Sequence, residues 1–217
     1  MPTQQPGTPT PSRKPNDQII SYYTLRILIG ATGILLPLLV VIGKWISNGT
    51  PALEFSISDY YDNGAGGDVL VGVLFVLGFF LLSYKGPERI DNRAADVGCV
   101  AALGVALFPT TFCGECWVHY LHFVFALSLF GVFIFFSLVL FRKTDPRKQM
   151  TPEKKNRNKI YLVCGIIMIT CILAIAFSLL VLKQETCEKY NLVYWFESIA
   201  LASFGFSWIT KSETFYL

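Results

Sequence analysis

Six long runs of apolar residues, separated by shorter polar stretches, dominate this chain of 217 residues. A membrane core about 30 Å thick is crossed by roughly 20 apolar residues in an α-helix. The runs are too long for membrane β-strands and lack the alternating polarity of such strands. We therefore predict an all-α, polytopic bundle of six transmembrane helices over residues 24–46, 68–84, 94–112, 118–141, 160–182 and 190–210.

The composition agrees with a chain that lies mostly in lipid. Hydrophobic residues make up 53% of the sequence and charged residues 15%, whereas a soluble domain has about 25% charged residues. This excludes a nucleic-acid-binding domain and an ordinary soluble enzyme, and makes the lipid bilayer the expected partner. Residues 1–23 are polar and lack the apolar core of a signal peptide. We expect a disordered tail over residues 1–23, a transmembrane domain over 24–211 and a short tail over 212–217.

Lysine and arginine lie almost entirely on one side of the predicted bundle. The opposite side holds only Lys44, Lys183 and Lys189 of the eighteen such residues in the chain. Cytoplasmic loops of membrane proteins are enriched in these two residue types. We therefore expect both termini in the cytoplasm of a bacterium and the helices in its inner membrane. The basic loop over residues 142–159 also leaves open a site for anionic lipids.

Local signals predict how some helices pack and begin. Small residues recur at three- and four-residue spacing over residues 94–106, which favours close helix contacts. Thr151 and Pro152 have the order of an N-cap followed by the first helical residue. The glycines within residues 64–67 predict a flexible entry into the second helix.

Ionisable residues of several segments converge on the predicted extracytoplasmic face. Glu197 lies about two turns inside the last span, and such a residue is a functional candidate because burying its charge in lipid is costly. His119 and His122 open the fourth span, Asp68 opens the second, and Asp59 lies in the first outer loop. We predict that these five residues line a polar pocket, with carboxylates as acceptors and histidines as pH-sensitive donors or ligands. The alternative is that they pair with one another and close the end of the bundle.

From this pocket we predict that the protein is not an enzyme, that it binds a small molecule or a lipid, and that it needs no cofactor. One alternative is an intramembrane lipid hydrolase, in which His119, His122 and Asp68 hold zinc and the metal activates water. The spacing of these residues differs from the His-Glu-x-x-His pattern of known zinc hydrolases. The sequence leaves the ligand and the oligomeric state open.

Cysteines form a second candidate group on the same face. Cys113 and Cys116 lie in one predicted outer loop and Cys187 lies in the next. On an oxidising side of the membrane, Cys113 and Cys116 would pair, or one of them would pair with Cys187. A Cys-x-x-Cys pair at a helix start is also typical of thiol–disulfide oxidoreductases, including quinone-coupled membrane enzymes. Metal binding together with the two histidines is a third alternative.

Several short motifs, in this order, resemble a group of uncharacterised bacterial six-helix membrane proteins that are distantly like the DRAM and Sfk proteins. The motifs are the run of residues 56–61, the run 68–75, Asp91-Asn92-Arg93, the run 106–110, His122 with Ala126, and Glu197 ahead of residues 204–208. The resemblance implies a six-helix fold in the plasma membrane and no particular activity. A looser similarity links the chain to alkaline ceramidases and adiponectin-receptor-type hydrolases. It would give Ser58, Asp68, His119 and His122 roles at a zinc ion, although those proteins have seven helices.

Overall fold

The computed structural model describes residues 21–110, 117–144 and 149–212. These residues form seven α-helices and no strand. The helices are α1 (Tyr22–Asn48), α2 (Ala65–Ser83), α3 (Arg89–Leu107), α4 (Trp117–Phe135), α5 (Pro152–Val181), α6 (Gln184–Tyr190) and α7 (Leu192–Lys211). A 3-10 turn (Ser58–Asp62) lies between α1 and α2, and a π-helical turn (Phe136–Leu140) continues α4. The all-α prediction is confirmed for the described residues.

The long helices pack side by side in an up-and-down arrangement. Helix α1 contacts α2 and α7, α3 lies between α2 and α4, and α5 packs along α7. We call the end that carries residues 49–64 the loop end, and the opposite end the basic end. Both ends of the described chain meet at the basic end, where the Arg26 guanidinium donates to the carbonyl of Lys211 over 2.9 Å.

Five helices are long and apolar enough to cross a membrane, namely α1, α2, α4 with its π-helical turn, α5 and α7. Helix α3 corresponds to the third predicted span and is not one of the five. Its first two turns carry four charged residues, Arg89, Asp91, Arg93 and Asp96. The predicted sixth crossing would therefore need a helix that is only partly apolar.

Two predicted spans have different bounds in the structure. Helix α3 ends at Leu107 instead of residue 112, and Phe108 is extended with φ −111° and ψ 101°. Pro109 explains this end, because a residue before proline avoids the helical conformation. The last predicted span begins at residue 190, but Asn191 has φ 47° and separates α6 from α7. Asparagine tolerates this left-handed conformation better than most residues.

The start of α5 is as the sequence predicts. Thr151 is the N-cap, and its hydroxyl oxygen accepts a hydrogen bond from the backbone N–H of Lys154 over 3.3 Å. Pro152 is the first helical residue. Proline suits this position because its missing N–H would have no partner inside the helix.

The predicted small-residue face of α3 is confirmed as a buried helix contact. Small side chains let α3 approach its neighbours closely, which is how helices associate where no water drives them together. The buried small residues of this face are Ala94, Ala95, Gly98, Cys99, Ala101, Ala102, Gly104 and Ala106.

An aromatic cluster fills the bundle near the basic end. Trp208 of α7 is fully buried at its centre. The centroid of a Trp208 ring lies 4.9 Å from that of Tyr84, 5.0 Å from Phe136 and 5.1 Å from Phe141. Edge-to-face and tilted arrangements of this kind are favourable for aromatic rings. The cluster joins α7 to the end of α2 and to the π-helical turn of α4.

Gly67, one of the glycines at the start of α2, permits a close contact with the preceding loop. Gly67 lies in the first turn of α2, directly beneath the 3-10 turn. A Cβ atom added to Gly67 would lie 2.0 Å from the carbonyl oxygen of Tyr61. Only glycine permits this approach, so Gly67 is needed for packing, and the flexible entry to the helix stays a prediction.

Candidate functional site

The connection between α1 and α2 folds back into the loop end of the bundle. Ile57 and Tyr60 are buried there. Two hydrogen bonds fix the start of the 3-10 turn: the N–H of Ser56 donates to Asp59 Oδ2 over 3.0 Å, and the N–H of Asp59 donates to Ser56 Oγ over 3.2 Å. The connection between α1 and α2 thereby places polar groups between the helices.

Glu197 lies in the second turn of α7 and contacts this inserted loop. Its Oε2 atom accepts a hydrogen bond from the backbone N–H of Ile57 over 2.7 Å. Glu197 also lines a cavity of about 50 Å³ between the helices. The other lining residues come from α1, the loop, α2, α3, α4 and α7, and they are Leu36, Ile57, Ser58, Leu70, Leu74, Val105, Ala126, Leu129, Phe130 and Leu201. The cavity thus has apolar walls with one carboxylate and one hydroxyl.

His122 connects the loop to two helices at the same place. Its Nδ1 atom lies 2.6 Å from the carbonyl oxygen of Phe108, and its Nε2 atom lies 2.9 Å from Ser58 Oγ. The imidazole is buried. Both ring nitrogens therefore have partners, and Ser58 joins the histidine to the cavity.

The five predicted pocket residues separate into two groups. Glu197 lines the cavity, His122 reaches it through Ser58, and Asp59 is near enough to both for their charges to interact. His119 lies at the edge, where its Nδ1 atom is 3.1 Å from the carbonyl oxygen of Thr110. Asp68 is exposed in the first turn of α2 and does not line the cavity.

Burial changes the acidity of two loop residues beside the cavity. Loss of water raises the pKa of the Asp59 carboxyl, while its hydrogen bonds from the Ser56 hydroxyl and N–H act in the opposite direction. Burial raises the pKa of Tyr60 to about 12. The Tyr60 hydroxyl consequently stays neutral near pH 7, where it accepts a hydrogen bond from the N–H of Glu54 over 3.2 Å.

The residues of the zinc alternative do not form one group in the described part of the chain. Within the described ranges, no group of three or more histidine, cysteine, aspartate and glutamate side chains is placed to hold a metal ion. His122 uses both ring nitrogens in hydrogen bonds, and Asp68 lies away from the cavity. We therefore derive no chemical step through a metal.

Cys113 and Cys116 lie outside the described residues, so their disulfide, redox and metal alternatives stay predictions. Cys187 is a free, buried thiol that donates to the carbonyl oxygen of Ser178 over 3.3 Å. It links the short helix α6 to the end of α5.

Two backbone groups complete the site, and no side-chain pattern in the sequence identifies them directly. They are the N–H of Ile57, which binds the Glu197 carboxylate, and the carbonyl of Phe108, which accepts from His122. Side-chain chemistry carries no information about which backbone groups meet across a fold. Pro109 is an indirect signal, because it ends α3 and leaves the carbonyl of Phe108 outside the regular helix.

The fold and these contacts define a helical membrane protein with a small, partly polar cavity near the loop end. Comparisons with protein-family models, with curated proteins and with solved structures found no match for this chain.

Proposed function

We propose that this protein binds a small cationic or hydrogen-bond-donating ligand in the cavity at its loop end. The observation that carries the proposal is the carboxylate of Glu197, which lines the cavity and is held on one side by the N–H of Ile57. A carboxylate among membrane helices is costly, and such residues commonly mark binding or transfer sites. Binding a cation would offset that cost.

The size of the cavity favours a small molecule over a lipid headgroup. Its volume is about 50 Å³, whereas an apolar cavity of about 150 Å³ is needed to hold benzene. Water, ammonium and an amine with one or two carbons are of suitable size. The apolar walls would contact the carbon atoms of such an amine, and Glu197 would accept its hydrogen bonds.

The proposed topology has six membrane crossings, with the basic end in the cytoplasm of a bacterium and the loop end outside the inner membrane. Helix α2 runs toward the basic end and α4 begins at the loop end, so α3 has to traverse the bundle between them. The concentration of lysine and arginine near the basic end supports its cytoplasmic location. The ligand would then enter from the extracytoplasmic side.

Methylammonium tests the proposed ligand class directly. We expect methylammonium chloride at constant ionic strength and pH to raise the unfolding temperature of the purified protein in detergent, since a ligand that binds only the folded state stabilises it. Glu197→Gln should abolish the increase, because the amide keeps the shape of the side chain but removes its charge. A thermal unfolding series against methylammonium concentration measures the effect.

Tetramethylammonium serves as the size control, and Glu185→Gln on the exposed surface of α6 is the matched variant control. Tetramethylammonium is too large for the cavity and should not stabilise the protein, while Glu185→Gln should respond to methylammonium as the wild type does. An equal effect of methylammonium on the wild type and on Glu197→Gln would contradict the proposal.

Engineered protease sites test the topology. A site inserted beside Met150, near the basic end, should be cut only in inside-out membrane vesicles. A site beside Thr50, in the connection at the loop end, should be cut only in right-side-out vesicles. Gel mobility of the fragments measures the cleavage. The opposite pattern would show that the loop end faces the cytoplasm.

A further inference from the structure

Ser58 and His122 form a pair whose hydrogen-bond direction is fixed by a backbone group. A carbonyl oxygen only accepts, so the Nδ1 atom of His122 carries the proton that is shared with Phe108 over 2.6 Å. In a neutral imidazole the Nε2 atom is then an acceptor, and Ser58 donates its hydroxyl proton to it over 2.9 Å. A serine and a histidine in this arrangement are a nucleophile beside a general base.

We infer that Ser58 is a nucleophile activated by His122, and that the pair takes a short acyl group from an ester. Ser58 lines the cavity, so an electrophile bound there would lie beside its hydroxyl. The carbonyl of Phe108 orients the imidazole, which is the role of a carboxylate in Ser-His-Asp sites. The inference rests on the proposed function, because the acyl group would enter the same cavity.

The reaction balances with an ester and water as the reactants. Ser58 Oγ attacks the carbonyl carbon of the ester, and its proton passes to Nε2 of His122. The ester C–O bond breaks and the alcohol leaves with that proton, which gives an acyl-serine and a neutral histidine. Water then attacks the acyl-serine with His122 again as the base. The products are a carboxylic acid and the free serine.

The cavity limits the acyl groups that the serine could accept. A volume of about 50 Å³ admits an acyl group of two or three carbons and excludes a long acyl chain. Glu197 lines the same cavity and would repel an acyl group that carries a negative charge. The substrate class is therefore a short acyl ester whose acyl part is neutral or cationic.

The test is acetylation of the full chain in detergent by vinyl acetate, a reactive ester whose acyl and alcohol parts each have two carbons, followed by mass spectrometry of the peptide that contains Ser58. We expect an acetyl group on Ser58 in the wild type. His122→Gln should react about a hundredfold more slowly, the order of magnitude that general-base catalysis supplies. Ser128→Ala, an exposed serine on the same helix as His122, should react as the wild type does. Unfolding temperatures identify any variant that has not folded.

Three outcomes would overturn the inference: neither an acetyl group on Ser58 nor release of the alcohol part of the ester by the folded wild type, an acetyl group on His122 in place of Ser58, or an equal rate in His122→Gln. The first two use the wild type alone and do not depend on how well a variant folds. Stabilisation by methylammonium without acetylation of Ser58 would refute this inference and leave the proposed function standing. Acetylation without any methylammonium effect would refute the proposed ligand class and leave the nucleophile standing.

Discussion

Replacing Trp208 by alanine is expected to lower the free energy of unfolding by about 4 kcal/mol, the usual cost of removing a large buried aromatic side chain. Trp208 is fully buried and contacts Tyr84 at the end of α2 and Phe136 and Phe141 at the π-helical turn of α4. Its removal leaves a space that these rings can fill only in part. Unfolding of the purified protein by denaturant in detergent micelles measures the change.

Phe206→Ala is the matched control on the same helix. The Phe206 side chain is 43% exposed on the outside of the bundle, and a substitution away from the core changes stability by about 0.5 kcal/mol or less. If Trp208→Ala and Phe206→Ala lowered the free energy of unfolding by similar amounts, the aromatic cluster would not be what stabilises the basic end.

Gly205→Ala should have the next largest effect, about 3 kcal/mol, because it overpacks the contact between α1 and α7. A Cβ atom on Gly205 would lie 2.3 Å from the carbonyl oxygen of Gly30, and one on Gly30 would lie 2.5 Å from the carbonyl oxygen of Gly205. The nearest atom on each side of the contact belongs to the backbone, which cannot move aside as the end of a side chain can. The two helices would have to separate, and the unfolding temperature in detergent should fall.

Gly72→Ala provides the comparison for helix propensity. A Cβ atom at Gly72 of α2 would meet no other atom within 4 Å, and alanine favours a helix over glycine by about 1 kcal/mol. This variant should be as stable as the wild type or slightly more stable. If Gly205→Ala behaved in the same way, α1 and α7 could not approach as closely as the structure has them.

The contact between α1 and α7 also bears on the candidate site. Leu36 of α1 and Glu197 of α7 both line the cavity, and the hydroxyl of Tyr194 donates to the carbonyl of Pro37 over 3.0 Å. Displacement of α7 would therefore move Glu197 relative to the inserted loop. We expect Gly205→Ala to weaken stabilisation by methylammonium as well as folding.

Much of the helical architecture could be predicted from periodicity and end signals. The apolar runs predicted the long helices, and the small residues of α3 predicted its buried face. Thr151 and Pro152 predicted the start of α5. These features are local, because each depends on residues within one helix and on the need to satisfy the backbone in an apolar environment. The break at Asn191 was missed because a single left-handed residue leaves little trace in an apolar pattern.

The candidate site was predictable only in part. The order of the membrane spans places Glu197, His122 and Asp59 near one end of the bundle. The sequence was therefore sufficient to predict that these residues share an end. Asp68 lies near the same end of the bundle. Its side chain is nevertheless exposed, because α2 is rotated about its axis so that Asp68 faces away from the cavity. Position along the membrane follows from the chain order, whereas the direction of a side chain depends on how its helix is rotated against its neighbours.

The order of the residues is enough to predict long apolar helices with acidic and histidine residues near their ends. The inward fold of the first connection, in which Ile57 binds Glu197 and Ser58 binds His122, follows from the packing of the helices and is not visible in the residue pattern. The reason is physical: helix formation depends on hydrogen bonds between residues four apart, whereas these two loop contacts join residues 140 and 64 positions apart in the chain.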